Sequence, residues 1–358
     1  MKKLTFNQLL TFFLVVQLLF VKLVSNYPNF IENYYSYGIY PIISKIFRWF
    51  FGWIPFSIGD IYYLILGLVL VISVYRFIKN KFKNTRENLF KFGAYLSIFF
   101  FLFHLLWGMN YHRNSLFNTL SLEQKEYTFE ELNNLTNNLL NRIKQSQLLL
   151  VENDTIQVVI PYSKNEIISK TVIGYTALSK EFPKYTYQKP SLKKSLFSLP
   201  LTYMGFSGYF NPFSGEAQVD YLVPKVNLPM ISSHEVAHQL GFASESETNF
   251  VGFLAATKSE DIYFNYSGYL MALRYSVSAM HFKDSMATKL IIEKIPKGVI
   301  KNIMESEEFW RSYQNDLEPF FKLFYDNYLK ANQQNEGMKS YSKMVNLLVA
   351  YNSKYGLD

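Results

Sequence analysis

Five consecutive residues, His234-Glu235-Val236-Ala237-His238, carry the strongest chemical signal in the chain. On an α-helix, positions i and i+4 lie one above the other, so the two imidazoles can meet one metal ion while Glu235 sits beside them. This residue set suits metal-assisted hydrolysis. The ion acidifies a bound water and polarises a carbonyl, and the carboxylate takes the proton as general base and returns it to the leaving amine. The chain has 5 His and no Cys. Disulfides, thiolate sites and cysteine nucleophiles are therefore excluded, and imidazole and carboxylate are the only strong ligands for a metal such as zinc.

A catalytic zinc takes three protein ligands and leaves one position open. Gly241 turns the chain after the second His, and Glu245, Glu247 and Asn249 open the next apolar run. If that run is helical, Glu245 and Asn249 share a face and Glu247 points elsewhere. Glu245 is thus the expected third ligand, with Asn249 behind it. Glu247 is the alternative ligand, and the bland reading of both acids is negative charge at a helix N-terminus. Downstream, His281, Tyr266, Tyr269 and Tyr275 lie on a helix that can reach the cleft, without a reason to choose among them. His112 reads as an interfacial residue, and His104, inside an apolar span, as a functional candidate without a visible acidic partner.

The metal helix itself is announced by Asn227 as a cap, Pro229 in the first turn and Gly241 as a left-handed stop. The stretch 185–223, rich in Pro, Gly, Ser and aromatics, predicts a small twisted sheet without helix. A further strand is expected over Thr155–Ile160. Helices are predicted from Thr128, with Leu132, Leu135, Leu139 and Ile143 at helical period, from about Asn165, and over 250–257, 262–282, 285–295, 305–332 and 341–353. Residues 110–358 therefore read as one α+β domain.

With 49% hydrophobic and 18% charged residues, the 358-residue chain is too apolar to be disordered. Its net charge of +8 is confined to residues 1–109, which hold 11 basic and 3 acidic side chains; residues 110–358 hold 25 of each. The second part thus lacks the basic footprint of a nucleic-acid binder. Residues 1–109 form a membrane domain with three spans, Leu4–Val24, Ile58–Ile78 and Phe92–Met109, each long enough to cross a bilayer core. The first reads as an uncleaved helix and not a signal peptide. Arg76, Lys79, Lys81, Lys83, Arg86 and Lys91 between the second and third spans keep that loop in the cytoplasm. The expected topology is a cytoplasmic N-terminus and an extracytoplasmic domain 110–358 anchored in the cytoplasmic membrane. Asp60 reads as a residue at the lipid boundary. Because about 120 residues separate the last span from the metal helix, cleavage inside the bilayer is not expected.

The string His234-Glu235-x-x-His238, with a glutamate on the following helix, resembles the gluzincin metallopeptidases. Extended through Gln239, Gly241, Phe242, Glu245, Glu247, Asn249 and Phe250 and preceded by three spans, it resembles the bacterial membrane family catalogued as domain of unknown function 3810. The resemblance covers most of the chain, with its discriminating part between about Ser207 and Ala256. It implies a zincin-like fold and a zinc-dependent metallopeptidase acting on extracytoplasmic protein or peptide, with Glu235 as catalytic base and His234, His238 and Glu245 as metal ligands. It also implies that the segment 208–223 supplies an edge strand that pairs with extended substrate, against the plainer reading of an ordinary hairpin. Asn249 stands where gluzincins often carry Asp, so an amide oxygen would orient a ligand His. The interval from His238 to Glu245 is shorter than in those enzymes. The competing readings are a zinc amidase of cell-wall peptides and a non-catalytic membrane scaffold that retains the fold.

Overall fold

In a computed structural model, described for residues 3–332, 334 and 341–357, Thr5 opens the first helix. Its hydroxyl accepts from the Gln8 amide while the Gln8 side chain accepts from the Thr5 amide, closing a capping box at the head of α1 (Phe6–Val24). A second helical rod, residues 28–51, follows. It begins with α2 (Pro28–Phe30), widens into a π-helix (Ile31–Ile39) and continues as α3 (Tyr40–Phe51). The second apolar helix, α4 (Ile58–Lys79), starts on Ser57, whose hydroxyl accepts from the Asp60 amide. After a turn in which Lys81, Phe82 and Asn84 take positive φ, α5 (Thr85–Leu106) returns.

α1, α4 and α5 are long and apolar enough to cross a membrane. α5 begins seven residues before the predicted span, because its first turns are built of polar and charged residues that an apolar window misses. α1 runs along α5, where Thr11 Oγ1 donates to Phe90 O (2.9 Å) and Gln17 Nε2 to Ser97 Oγ (2.9 Å).

A short helix, α6 (Leu116–Thr119), leads to α7 (Phe129–Leu148), whose N-terminus is the expected Thr128–Glu131 capping box. Leu132, Leu135, Leu139 and Ile143 are fully buried and pack α7 along α12 (Ile262–Lys283). α8 (Lys164–Glu181) opens on a second capping box, Ser163 with Glu166. Between these helices the strand expected over Thr155–Ile160 is absent. Instead, Asn302 takes the place of a neighbouring strand: its Oδ1 accepts from Val158 N (3.0 Å) and its Nδ2 donates to Val158 O (3.1 Å). Val158 and Ile160 are buried while Ile156 and Val159 are exposed, and a side chain, not a ladder, satisfies the Val158 backbone.

The sheet has the order β1 (Leu192–Lys194), β3 (Glu216–Val219), β2 (Gly208–Asn211), with β1 parallel and β2 antiparallel to β3. Contrary to the sequence reading, this segment also holds a helix, α9 (Ser198–Met204), which Gly205 ends in the left-handed region. The metal-motif helix α10 (Leu228–Gln239) packs on β3 and on α11 (Glu245–Thr257). Gly252 allows the close approach, since a Cβ there would lie 2.9 Å from His234 N. α13 (Ser285–Ile292), α14 (Lys297–Ser312), α15 (Glu318–Ala331) and α16 (Tyr341–Tyr355) complete the chain. The single helix expected over 305–332 is thus two, broken at residues 313–317.

The apolar N-terminal helices and the rest of the chain interlock. Asp60, read from sequence as a lipid-boundary residue, is fully buried and accepts from Leu196 N (2.6 Å), Ser195 Oγ (3.2 Å) and Tyr209 Oη. Glu216 accepts from Gly59 N (2.6 Å) in the first turn of α4 and from Lys193 Nζ (2.5 Å). A carboxylate at a helix N-terminus meets unpaired amides and the positive end of the dipole, so β3 is fastened to the start of α4.

Candidate metal centre

α10 begins with Pro229 in its first turn and ends at Gly241, which takes φ +87°. The Asn227 side chain does not cap it; its Nδ2 donates to Ser306 Oγ instead. The last carbonyls of a helix need outside donors. Here they find them in residues far away in sequence. Gln239 O accepts from Tyr40 Oη (2.9 Å), Ser44 Oγ (3.0 Å) and Arg48 (3.3 Å) of α3, and His238 O accepts from Trp107 Nε1 (3.1 Å) just beyond α5. The Gln239 side chain donates to Ser191 O and Gly215 O and accepts from Tyr187, tying the same helix end to the sheet.

On this helix, His234 and His238 face Glu245 at the start of α11. One ligand atom from each of the three lies within 4.8 Å of the others. His234 Nε2 is 3.4 Å from Glu245 Oε2, and His238 Nε2 is 3.6 Å from Glu245 Oε1. Each ring's other nitrogen has an oxygen acceptor: His234 Nδ1 is 2.9 Å from Asn249 Oδ1, and His238 Nδ1 is 2.7 Å from Phe242 O. Acceptors at both Nδ1 atoms favour the proton there and leave the Nε2 lone pairs aimed at the carboxylate.

The electrostatics follow. Burial alone would raise the Glu245 carboxyl, but His234, His238 and the Tyr325 hydroxyl hold it down to about 2. Burial works against a proton on His234, yet Glu245 outweighs it and raises that imidazole above its usual value. Burial pushes His238 down to about 4, so it is neutral. Glu245 is thus the group that favours a proton on His234 when no cation is bound. Two imidazole nitrogens and a carboxylate, all oriented by further hydrogen bonds, are the donor set that a zinc-sized divalent ion fits.

Glu235 is buried next to this cluster, its Oε2 without a partner among the described residues, and burial raises its carboxyl to about 8. The space for it is provided by Gly208 on β2: a Cβ at that position would come 2.4 Å from Glu235 Oε1 and 2.6 Å from Gln218 O. β2 lies at the edge of the described sheet, and it is also one arm of a hairpin with β3.

Glu247 points away from the cluster. Its Oε1 accepts from Leu116 N (2.7 Å), and Arg113 lies near it. Of the tyrosines considered from sequence, Tyr275 lines the cavity beside the His234–His238–Glu245 cluster, whereas Tyr266 donates to Asn302 Oδ1 and Tyr269 to Leu357 O. His281 packs on Phe282. His112 and His104 are buried, the latter with Nδ1 3.0 Å from Phe100 O. Sequence reasoning missed Tyr325 on α15, whose hydroxyl donates to Glu245 Oε1 (2.6 Å), and Tyr328, which lies against Phe103. Eighty residues separate Tyr325 from Glu245, and no local pattern marks one tyrosine among the 28.

A cavity of about 740 Å³ opens from Glu235, His234, His238 and Glu245 and is walled mainly by aromatic and aliphatic side chains. No curated protein and no solved structure matches the chain significantly. The family model described as a protein of unknown function (DUF3810) matches residues 35–349, and the chain belongs to that family.

Proposed function

We propose that the protein is a membrane-anchored, zinc-dependent hydrolase with a zincin-like site, cutting amide bonds on the extracytoplasmic side. The observation that carries this reading is the convergence of His234 Nε2, His238 Nε2 and Glu245 within 4.8 Å, beside a buried carboxylate with an unpartnered oxygen. His234, His238 and Glu245 would hold the ion, and Asn249 and Phe242 O orient the two imidazoles. When bound, zinc supplies Lewis acidity to water and to a carbonyl oxygen.

The chain's own groups do the rest. Glu235, its carboxyl pushed up to about 8 by burial, is suited both to accept a proton from water and to return it to the leaving nitrogen. Tyr325 fixes the carboxylate of Glu245 and brings a hydroxyl donor to the site. The edge position of β2 beside Glu235 allows an extended substrate to lie along it. The orientation rests on the bases between α4 and α5, which keep that turn cytoplasmic and put the ends at Ile58 and Leu106, where the domain is attached, outside.

The test uses the full chain purified in detergent and a peptide library read by mass spectrometry. Wild type loaded with zinc should cleave, Glu235→Gln should keep zinc and lose cleavage, and His234→Ala should lose both. Cleavage by Glu235→Gln at the wild-type rate would overturn the assignment of Glu235; zinc bound without cleavage of any peptide would remove peptides as substrates.

A further inference from the structure

The cavity at the metal cluster does not stay within the domain. It continues down the apolar helices, lined by Trp107 and Phe103 and then by Phe99 of α5, with Tyr63 of α4 opposite. From Trp107, which bonds to His238 O, to Phe99 is eight residues, roughly 12 Å at the rise of an α-helix. The sequence-based separation of metal site and spans is thus overturned in space: about 120 residues of chain fold back and seat the metal helix on the end of α5.

The elements flanking the cavity also expose large apolar side chains. On α15, Phe320, Leu323 and Phe324 are 65%, 60% and 67% exposed, while Glu318–Lys322 and Asp326–Lys330 pair along the rest of the helix. Leu199 and Tyr203 of α9 and Trp53 before α4 are exposed as well. Exposed aromatic and aliphatic side chains beside paired charges on one helix fit a helix lying in a membrane interface.

We propose that the substrate is an amide-bearing amphiphile whose aliphatic acyl chain lies in this cavity, entering from the outer leaflet between α5 and α15. This inference rests on the hydrolase reading of the metal cluster. The amide C–N bond would break with water adding its hydroxyl to the acyl carbon and its remaining proton to the nitrogen. The cavity measures about 740 Å³. That volume falls in the range of small-ligand sites.

Two measurements on the full chain in phosphatidylethanolamine–phosphatidylglycerol nanodiscs test the proposal. In the first, a phospholipid with a diazirine near the end of its palmitoyl chain is photolysed and its adducts are mapped. Adducts should fall on Met204, Phe206 and residues 324–328, in wild type and equally in His234→Ala, and should drop at least fivefold when Met204→Trp fills the cavity. Adducts confined to the outward faces of α1 and α4 would overturn the proposal. In the second, hexadecanoyl hydroxamate should bind the zinc-loaded protein at least tenfold more tightly than acetohydroxamate, with His234→Ala as the blank for partitioning into lipid. Equal binding of the two would refute the acyl-chain site while leaving the metal reading intact. Loss of any difference between wild type and His234→Ala, with the photolabel still in the cavity, would remove the metal reading and leave the acyl seat standing.

Discussion

Glu245 and Glu247 start the same helix and end in two buried polar clusters of opposite character. Glu247 joins Glu32 and Arg113, where Arg113 donates two bonds to Glu32 (2.8 and 2.9 Å) and a third to Gly241 O (3.0 Å), and Glu247 accepts from Leu116 N. That guanidinium also stacks on Tyr37 and Phe242. Every guanidinium nitrogen there is spoken for, and the cluster clamps the 28–51 rod onto the loop after α10. Around Glu245 the opposite holds: two carboxylates and two imidazoles share one pocket, with one carboxylate oxygen left unpartnered. A saturated cluster is a fastener, while an electron-rich, under-satisfied one calls for a cation.

The largest expected effect is at the electron-rich cluster. His234→Ala should abolish tight zinc binding to the full chain, read as metal content after gel filtration. Because a proton on His234 competes with the ion, zinc affinity in wild type should fall as pH drops through the raised value of that imidazole, and a pH-independent affinity would contradict the arrangement.

Next comes the saturated cluster. Arg113→Met leaves Glu32 buried without its bidentate partner, which should cost about 3–5 kcal/mol of stability. Thermal unfolding in detergent checks this, and a variant melting with wild type would show that the clamp is ornamental. Asn249→Ala should weaken zinc about 10–100-fold by freeing the His234 ring, with Asn249→Asp retaining the orientation; chelator competition reads both.

The smallest effect sharpens the contrast. Burial raises the Glu247 carboxyl. A carboxyl whose folded-state value lies above its unfolded value contributes stability at low pH that is lost as pH rises through the folded value. Glu247→Gln should therefore gain on wild type in melting temperature as pH increases, while zinc content stays unchanged. Loss of zinc in this variant would mean that the two clusters are not separate.

What the sequence made legible is what local spacing encodes. The i, i+4 imidazoles, the Glu245–Asn249 pair on one helix face, the Thr128 capping box and the buried Leu132 to Ile143 stripe all follow from helical period. What it hid depends on contacts between distant residues. Nothing near Asp60 shows that Tyr209 and Leu196 will meet it, and nothing near Val158 shows that Asn302 will replace a strand. No local pattern marks the role of the rod 28–51, yet its Tyr40, Ser44 and Arg48 supply donors that end α10. Tyr325 became visible only once α15 lay across the cavity.

X-ray absorption at the zinc edge of the metal-loaded full chain measures the ligand set directly. The spectrum should show two imidazole nitrogens at about 2.0–2.1 Å and oxygen donors at about 2.0–2.2 Å without sulfur, and one imidazole should vanish in His238→Ala. A spectrum without histidine, or one unchanged in that variant, would contradict the metal centre described here.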